Sequence, residues 1–568
     1  FYADRRKQVF AINSRANPDG QIFHQDIIYR HLNSDIMANA HGRLSDDIEG
    51  SVLVGHNFFR YVRYNNYTQG DILNIPDFYN ISNASAVITR QSDAKYRTEA
   101  TYAQGRLSFM DQFFLEVTGR LESSSTLPGT PEVDGNKPFL YPKGKNTFFY
   151  PSINTGWVFS ESFDMQGDFF SFGKLRYSYS KVGKDASLYA LNNYYGSAVF
   201  GDGWTSGINF PLNGQAGYTI DDVLGNPNLR PEQTTSFETG LDLKFLDNRL
   251  GLDVTYYKSV SDDQILAVPV AGSTGYQAQV KNAGSMENKG WEIMLYATPV
   301  KTKDLRWDVS INYSRNRNKV LKLADGINEL FLGGFEGSAV YAVTGKPYGQ
   351  IYGGRFVRDD NGNLVIVDGL PIQDDQVGVI GDPNPDWLAG VTNTVTFKDF
   401  TLSALLDIRH GGDIWNGTRG AITFFGTAEG TEGRGNEVVF GGVEGYYDAN
   451  DQLVITSNPN TTSATLDQSY YQGIGSGFTG PAEPFVEDGS FVRLRELSLT
   501  YSIRKEWLKN SPFGSVDISF IGRNLWLQTA YQGIDPETSL TGASNSLGMD
   551  YFNNPGTKSY GFSLRVTL

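Results

Sequence analysis

The chain ends Tyr560-Gly561-Phe562-Ser563-Leu564-Arg565-Val566-Thr567-Leu568, a run in which apolar and small or polar side chains alternate to the last residue. Leu305, Trp307, Val309, Ile311 and Tyr313 alternate in the same way with Arg306, Asp308, Ser310 and Asn312. Successive side chains of a strand point to opposite faces, so each run has one greasy face and one wet face. The beat recurs in 113–121, 175–179, 237–245, 250–256, 291–295, 400–408 and 516–520. Roughly 16–18 such segments of about 9–11 residues can be counted, the length of a tilted membrane-crossing strand. Too few helical stretches accompany them to cover that many greasy faces, which leaves lipid as the opposing layer. The expected fold is all-β, a large antiparallel transmembrane β-barrel.

Composition agrees with this and removes several alternatives. The 568 residues include 36 Phe, 32 Tyr and 8 Trp, with only 20 % charged residues. Mean hydropathy is −0.35, and no apolar run approaches the ~18–20 residues of a spanning helix. A barrel gives that value because every lipid-facing residue is diluted by a polar one. A formal charge of −15 argues against a nucleic-acid partner and serves to solvate long loops. The absence of cysteine excludes disulfides, thiolate metal sites and a cysteine nucleophile. None of the 5 His has metal-ligand spacing, and no nucleophile elbow or phosphate-cradling loop stands out. No catalytic residue, metal or cofactor is expected. The opening, FYADRRKQVF, has neither the basic nor the apolar region of a signal peptide. After it, IIYRHLNSD and MANAHGRLS read as paired strand-like segments.

Connections come in two kinds. Turns around Asp247-Asn248 and 301–304 are tight, whereas 186–222 and 410–485 are long and rich in glycine and aromatics. Short turns on one side and long loops on the other are the asymmetry of outer-membrane barrels. Phe148, Phe149 and Tyr150, Tyr256 and Tyr257, and Trp526 sit at strand ends, either as an interfacial girdle or through simple β-propensity. In FVRLRELSLTY (491–501) the apolar phase runs Val492, Leu494, then Leu497, Leu499, Tyr501. A one-residue slip of this kind marks a β-bulge. Asp359-Asp360-Asn361-Gly362-Asn363 could be an oxygen-ligand calcium loop, but Asn-Gly between two strand-like runs favours a hairpin turn, as does YYDANDQLVI at 446–455.

Longer motifs carry a resemblance to a family. Asn226-Pro227-Asn228-Leu229-Arg230-Pro231-Glu232, followed by Glu238 and Gly240, resembles a signature of TonB-dependent outer-membrane transporters. Segments 113–125, 150–163, 174–183, 282–293, 344–353, 380–387, 488–501 and 522–537 resemble strands and turns of its SusC/RagA subfamily, in the family's order. The prolines of 226–232 fix φ and remove amide donors, so that motif reads as a rigid turn into a strand, pinned by Arg230 and Glu232. NAGSMENKGWE reads as a glycine-punctuated turn between two strands, and Asp382-Pro383-Asn384-Pro385-Asp386-Trp387 as a rigid entry ending in an aromatic anchor. Structural motif roles are assigned to Asn226, Pro227, Leu229, Pro231, Glu232, Gly240, Asp382, Pro383, Trp387, Arg493 and Asn524.

The resemblance implies that residues 1–568 are the C-terminal part of a barrel of about 22 strands, with the plug domain and TonB box lying outside this chain. It further implies a multi-pass protein of a Bacteroidetes-type bacterial outer membrane that imports oligosaccharides or peptides. TonB would act through the missing N-terminal part, a SusD-like surface lipoprotein would cap the mouth, and lipid would surround the wall. Dimers of transporter–lipoprotein pairs are compatible with it. Rival readings are a passive porin-like or structural, secretion-associated barrel, and a soluble multi-sheet carbohydrate-binding protein. Two groups are candidates for substrate contact. One is Tyr194, Tyr195, Trp204 and Phe210 in the loop 187–220, beside Asn192, Asn193 and Asn209. The other is Arg409, His410, Asp413 and Trp415 above a strong strand, which alternatively only cap the rim.

Overall fold

A computed structural model describes residues 2–15, 17–128, 147–200, 208–335, 337–542 and 544–568. Seventeen strands belong to one large sheet. The first seven are β1 (Tyr2–Ile12), β2 (Asp19–Arg43), β3 (Ile48–Leu73), β4 (Ala84–Phe109), β5 (Phe113–Ser124), β6 (Thr147–Trp157) and β7 (Phe170–Lys184). A short β8 (Val223–Leu224) precedes β9 (Glu232–Phe245), β10 (Leu250–Pro269), β11 (Ala278–Lys301) and β12 (Leu305–Lys322). The last five are β13 (Trp387–Phe397), β14 (Phe400–His410), β15 (Phe491–Ser502), β16 (Ser515–Thr529) and β17 (Ser559–Thr567). The chain forms two compact units: 1–156 with 178–236 and 261–284, and 157–177 with 237–260 and 285–568.

In the first unit β1 to β5 pair antiparallel, each with the next. The β2–β3 ladder runs without a break from Arg43 opposite Glu49 to Gln21 opposite Asp71. Strands β2, β3 and β4 have 25, 26 and 26 residues, far beyond the about 9–11 that cross a bilayer. IIYRHLNSD and MANAHGRLS are therefore not two paired strands: the first lies within β2, and so do Met37–Arg43 of the second. Their polarity changes midway because only one end of the strand has a lipid-facing pattern, and that change imitates a break.

The lipid-facing pattern is visible in the register. Ile36, Ala38 and Ala40 on β2 lie on the same face as Val54 and Val52 on β3, Ala103 and Leu107 on β4, and Leu121, Val117 and Leu115 on β5. These side chains share one face and are exposed, Ile36 at 73 %. The opposite face of β4 and β5 carries Gln104, Arg106, Glu116, Arg120 and Glu122 instead, with Arg106 paired to Glu116. Beyond the apolar rows the polar face becomes aromatic. Tyr2, Tyr29, Tyr61, His31, Phe59 and Tyr96 form a ladder with centroid spacings of 5.7, 6.1, 5.1, 6.1 and 6.0 Å.

In the second unit β12 to β17 pair antiparallel in sequence order. The phase slip in 491–501 is a bulge. Leu405 faces Glu496 while Leu406 faces Leu494, so Arg495 has no opposite residue on β14. The NAGSMENKGWE turn is absent, because all of it lies inside the continuous strand β11. Its glycines answer crowding rather than bending. A Cβ at Gly290 would stand 2.3 Å from the carbonyl oxygen of Arg315 and 2.6 Å from the Tyr257 hydroxyl.

Small sheets occupy the long connections. Strands at Glu329–Gly334, Ser338–Val343, Gln350–Gly353 and Gly378–Gly381 form one. Asp413–Asn416, Val486–Asp488 and Met549–Asp550 form another. Between them lies a core of Val340, Ile351, Trp415, Ala482, Phe485 and Met549. The 359–363 segment is a hairpin turn, with Asp359 Oδ1 accepting the amides of Asn361 and Asn363 at 2.9 and 2.8 Å. Asp448 does the same for Asn450 and Gln452.

Candidate functional site

The 226–232 motif is a braced corner. The Asn226 carbonyl side chain accepts the Asn228 amide at 2.9 Å, closing the turn between the two prolines. Leu229 is completely buried against Leu127 and Ala186, with Phe148, Ile265 and Val280 packed around them. Glu232 accepts the Ile265 amide at 3.1 Å and pairs with Lys184 at 3.4 Å. Arg230 pairs with Asp263 at 2.9 Å. Asn282, from the neighbouring motif, accepts the Arg230 amide and donates to the carbonyls of Arg230 and Asp263. Two segments that look independent in sequence thus fasten each other. Beside the corner opens a cavity of about 600 Å³ whose lining includes Phe148, Tyr150, Lys181, Asn228, Arg230 and Gln233. Aromatic faces, amides and two cations in one wall suit a polar oligomer.

Gly240 has a specific reason to lack a side chain. A Cβ there would stand 2.9 Å from Arg176 Nη2, which donates to both carboxylate oxygens of Asp253 at 2.6 and 2.7 Å.

Of the loop aromatics, Tyr194 and Tyr195 are 47 % and 77 % exposed. Tyr195 lies on the strand Tyr195–Ser197, which pairs with Tyr218–Ile220. Tyr194 meets Tyr189 edge-on at 5.5 Å, and Phe210 meets Phe200 likewise at 6.3 Å. Trp204 lies outside the described residues. The second candidate group belongs to the other compact unit.

That second group is knitted into the 382–387 motif. The Asp413 carboxylate accepts the Asp382 amide at 2.7 Å, and the Asp413 amide donates to the Asp382 carbonyl at 2.7 Å. Arg409 donates to the Pro383 carbonyl at 2.9 Å. Asn384 donates to Tyr348 O and accepts from Asn318, adding the 344–353 motif. Trp387 stacks flat on His410, with centroids 5.1 Å apart and planes at 9°. Trp415 is 4 % exposed and belongs to the core described above. Only His410 of the four presents a largely exposed side chain, at 58 %.

Burial pushes the Asp413 carboxyl above its ordinary range, and Asp382 and Asp488 nearby push it the same way, against the Asp382 amide and Arg409. A raised folded-state value means that the folded protein favours the neutral acid. The stability this group contributes is full below its unfolded value of about 4 and declines as pH rises through the folded value. Asp413→Asn keeps the amide acceptor without the charge. Its melting temperature relative to the parent is expected to rise between about pH 4 and 7. A parallel pair of melting curves across that range would refute the assignment.

Arg493 and Asn524 meet in an ion network that motif reading did not reveal. Arg493 pairs with Asp535 at 2.6 Å, both nearly buried, and its Nε lies 3.0 Å from Glu537. The bulged Arg495 pairs with Asp407 and, at 2.6 Å, with Glu537, and reaches Asn524 Oδ1 at 3.3 Å. Asn524 itself has φ +52° and donates to the Thr557 carbonyl. The bulge was legible as a phase slip, but its function of aiming Arg495 into this network was not, since the three acids come from distant segments.

Long antiparallel strands with an apolar exposed face, a polar opposite face and short turns against long loops define an integral protein of the bacterial outer membrane. The chain belongs to the family described as TonB dependent receptor-like, beta-barrel, whose model matches residues 1–330. It is 27 % identical over 527 residues to TonB-dependent receptor P26 of Formosa agariphila, covering 86 % of this chain and 48 % of that protein. It is 27 % identical over 478 residues to TonB-dependent receptor SusC of Bacteroides thetaiotaomicron, covering 78 % and 43 %. The solved structure of the RagAB peptide transporter superposes with a TM-score of 0.73 at 19 % identity, over 99 % of this chain and 58 % of that one. The chain thus spans about half the length of the curated relatives it matches.

Proposed function

We propose that residues 1–568 are the barrel portion of a TonB-dependent importer that takes up an oligomeric nutrient, an oligosaccharide or a peptide, and that it works without catalysis. TonB would act through a portion of the protein outside this chain, and a SusD-like surface lipoprotein would meet the long-loop end. The observation that carries this reading is family membership joined to a wall whose polar face continues past the membrane as an aromatic ladder. Stacking faces interleaved with amides and cations suit sugar rings and peptide side chains alike. Tyr194, Tyr195 and Phe210 are proposed as substrate contacts, with His410 the most accessible of the second group. Arg409, Asp413 and Trp415 serve it as supports.

Uptake by cells producing the intact transporter is the test. Replacing Tyr194, Tyr195 and Phe210 together with alanine is expected to lower uptake roughly tenfold or more at limiting nutrient, given about 0.5–1.5 kcal/mol for each aromatic contact. Dissipating the inner-membrane proton gradient should abolish uptake by the parent. Persistent uptake would instead make the barrel a passive channel. A lipoprotein is expected to remain bound through purification in mild detergent, and its absence would remove the capped-mouth part of the proposal.

A further inference from the structure

The outer face of β2, β3 and β4 changes character abruptly above its apolar rows. The highest apolar row is Ile36, His56, Thr101 and Leu121; the lowest reaches Phe109 and Phe113. These five rows span about 27 Å along the strands, or about 21 Å across the membrane at the tilt usual for barrels. The short turns 44–47 and 110–112 close the lower end, which places the upper margin at the outer leaflet. One row higher come Ser34, Phe58 and Glu99, and then two cationic rows. Leu32 faces Arg60, which faces Arg97, and Arg30 faces Val62, which faces Lys95.

Directly opposed like charges destabilise a strand pair, yet Arg60 and Arg97 oppose each other here. One row lower, Glu99 pairs with His56 at 3.1 Å and lies within the electrostatic reach of Arg97. Among the described residues no carboxylate lies within 4 Å of Arg30, Arg60 or Lys95. All three are exposed, and Arg30 rests on the Tyr64 ring at 5.5 Å. The two cationic rows stand about 13 and 20 Å above the highest apolar row along the tilted strands, and their long side chains can reach back toward the headgroup layer while their stems cover apolar surface. A guanidinium matches a phosphate bidentately, and fixed cations at a membrane surface draw anionic lipid.

We propose that Arg30, Arg60 and Lys95 bind the phosphate of an outer-leaflet lipid headgroup, with Ile36, Val54 and Leu121 beneath them receiving its acyl chains. The lipid would supply the missing counter-charge and fix the depth of the wall in the membrane.

The intact protein, purified in detergent and stripped of lipid, can be titrated with diphosphoryl lipid A, with the dephosphorylated lipid carrying the same chains, and with inorganic phosphate. The phosphorylated lipid is expected to bind, and R30Q/R60Q/K95Q to weaken it roughly a hundredfold. Its affinity should also fall as salt is raised. Equal binding of the dephosphorylated lipid would overturn the proposal, as would an unchanged affinity in the triple variant. Inorganic phosphate binding as tightly as the lipid would reveal an ion site in its place. If the triple variant does not fold, R60Q and R60K decide: loss in the first with retention in the second supports the site, and equal behaviour refutes it.

Discussion

Trp415→Ala is expected to cost about 3–5 kcal/mol of stability, the usual range for deleting a buried aromatic side chain. The indole fills the centre of a core formed with Val340, Ile351, Phe485 and Met549. It lies 6.0 Å from the Phe335 ring and stacks within 11° of Tyr551 at 6.4 Å. Strands from three separate stretches meet there, so the cavity would loosen the small sheet of Asp413–Asn416 with both its partners. The indole Nε1 is buried and finds no hydrogen-bond partner among the described residues, an arrangement that costs rather than stabilises. Trp415→Phe should therefore retain most of the packing and lose far less than alanine. Thermal melting together with protease cleavage in 411–490 reports both. If alanine left melting unchanged while substrate affinity dropped, the residue would be a contact and not a support.

The second large effect is expected at Arg493. Replacing it with methionine leaves Asp535, whose side chain is 9 % exposed, without its cation. Breaking a buried pair from one side costs about 3–5 kcal/mol, more than the intact pair contributes, because the remaining charge is stranded. Asp535→Asn in the same background should recover part of that loss. Arg495 offers a contrast, since it is 30 % exposed and shares Glu537, so Arg495→Met should cost less. Melting temperatures of the parent and the three variants form the comparison. Equal losses at 493 and 495 would show that burial is not what sets the cost.

Much of the wall was legible because strand chemistry is local. The period-two beat located β12, β14 and β17, and Asn361-Gly362 and Asp247-Asn248 marked turns, as the short tethers between strands require. The slip between Leu494 and Leu497 narrowed the bulge to Arg495 or Glu496, and the register makes it Arg495. What misled was glycine within β11, where Gly284 and Gly290 imitate a turn but make room for neighbours across the sheet. Strand length misled as well: in β2 to β4 the apolar signal covers only the membrane-crossing part, so the rest read as a break. The candidate site was legible by residue type but not by depth. Trp415 and His410 both look like binding residues in the sequence, and only packing separates a core indole from an exposed imidazole. The acids Asp407, Asp535 and Glu537 carry no local mark of their common partners.

The unbroken β2–β3 ladder also bears on how the wall is made. Every pair in it lies beyond the pair before it, counted outward from the turn 44–47. Once that turn closes, each further pair forms with almost no additional loop-closure entropy, as teeth of a zip do. The far end of the ladder joins Gln21 to Asp71, distant in sequence, so these long strands owe rapid formation to stepwise growth out of the turn rather than to low contact order. The contrary holds for the segments that carry the second candidate group. Thr418 reaches 132 residues to Asp550, and the Phe356 amide 127 residues to Glu483. Contacts of that span must wait until the strands between them are in place, so the wall forms first and the segments carrying that group last.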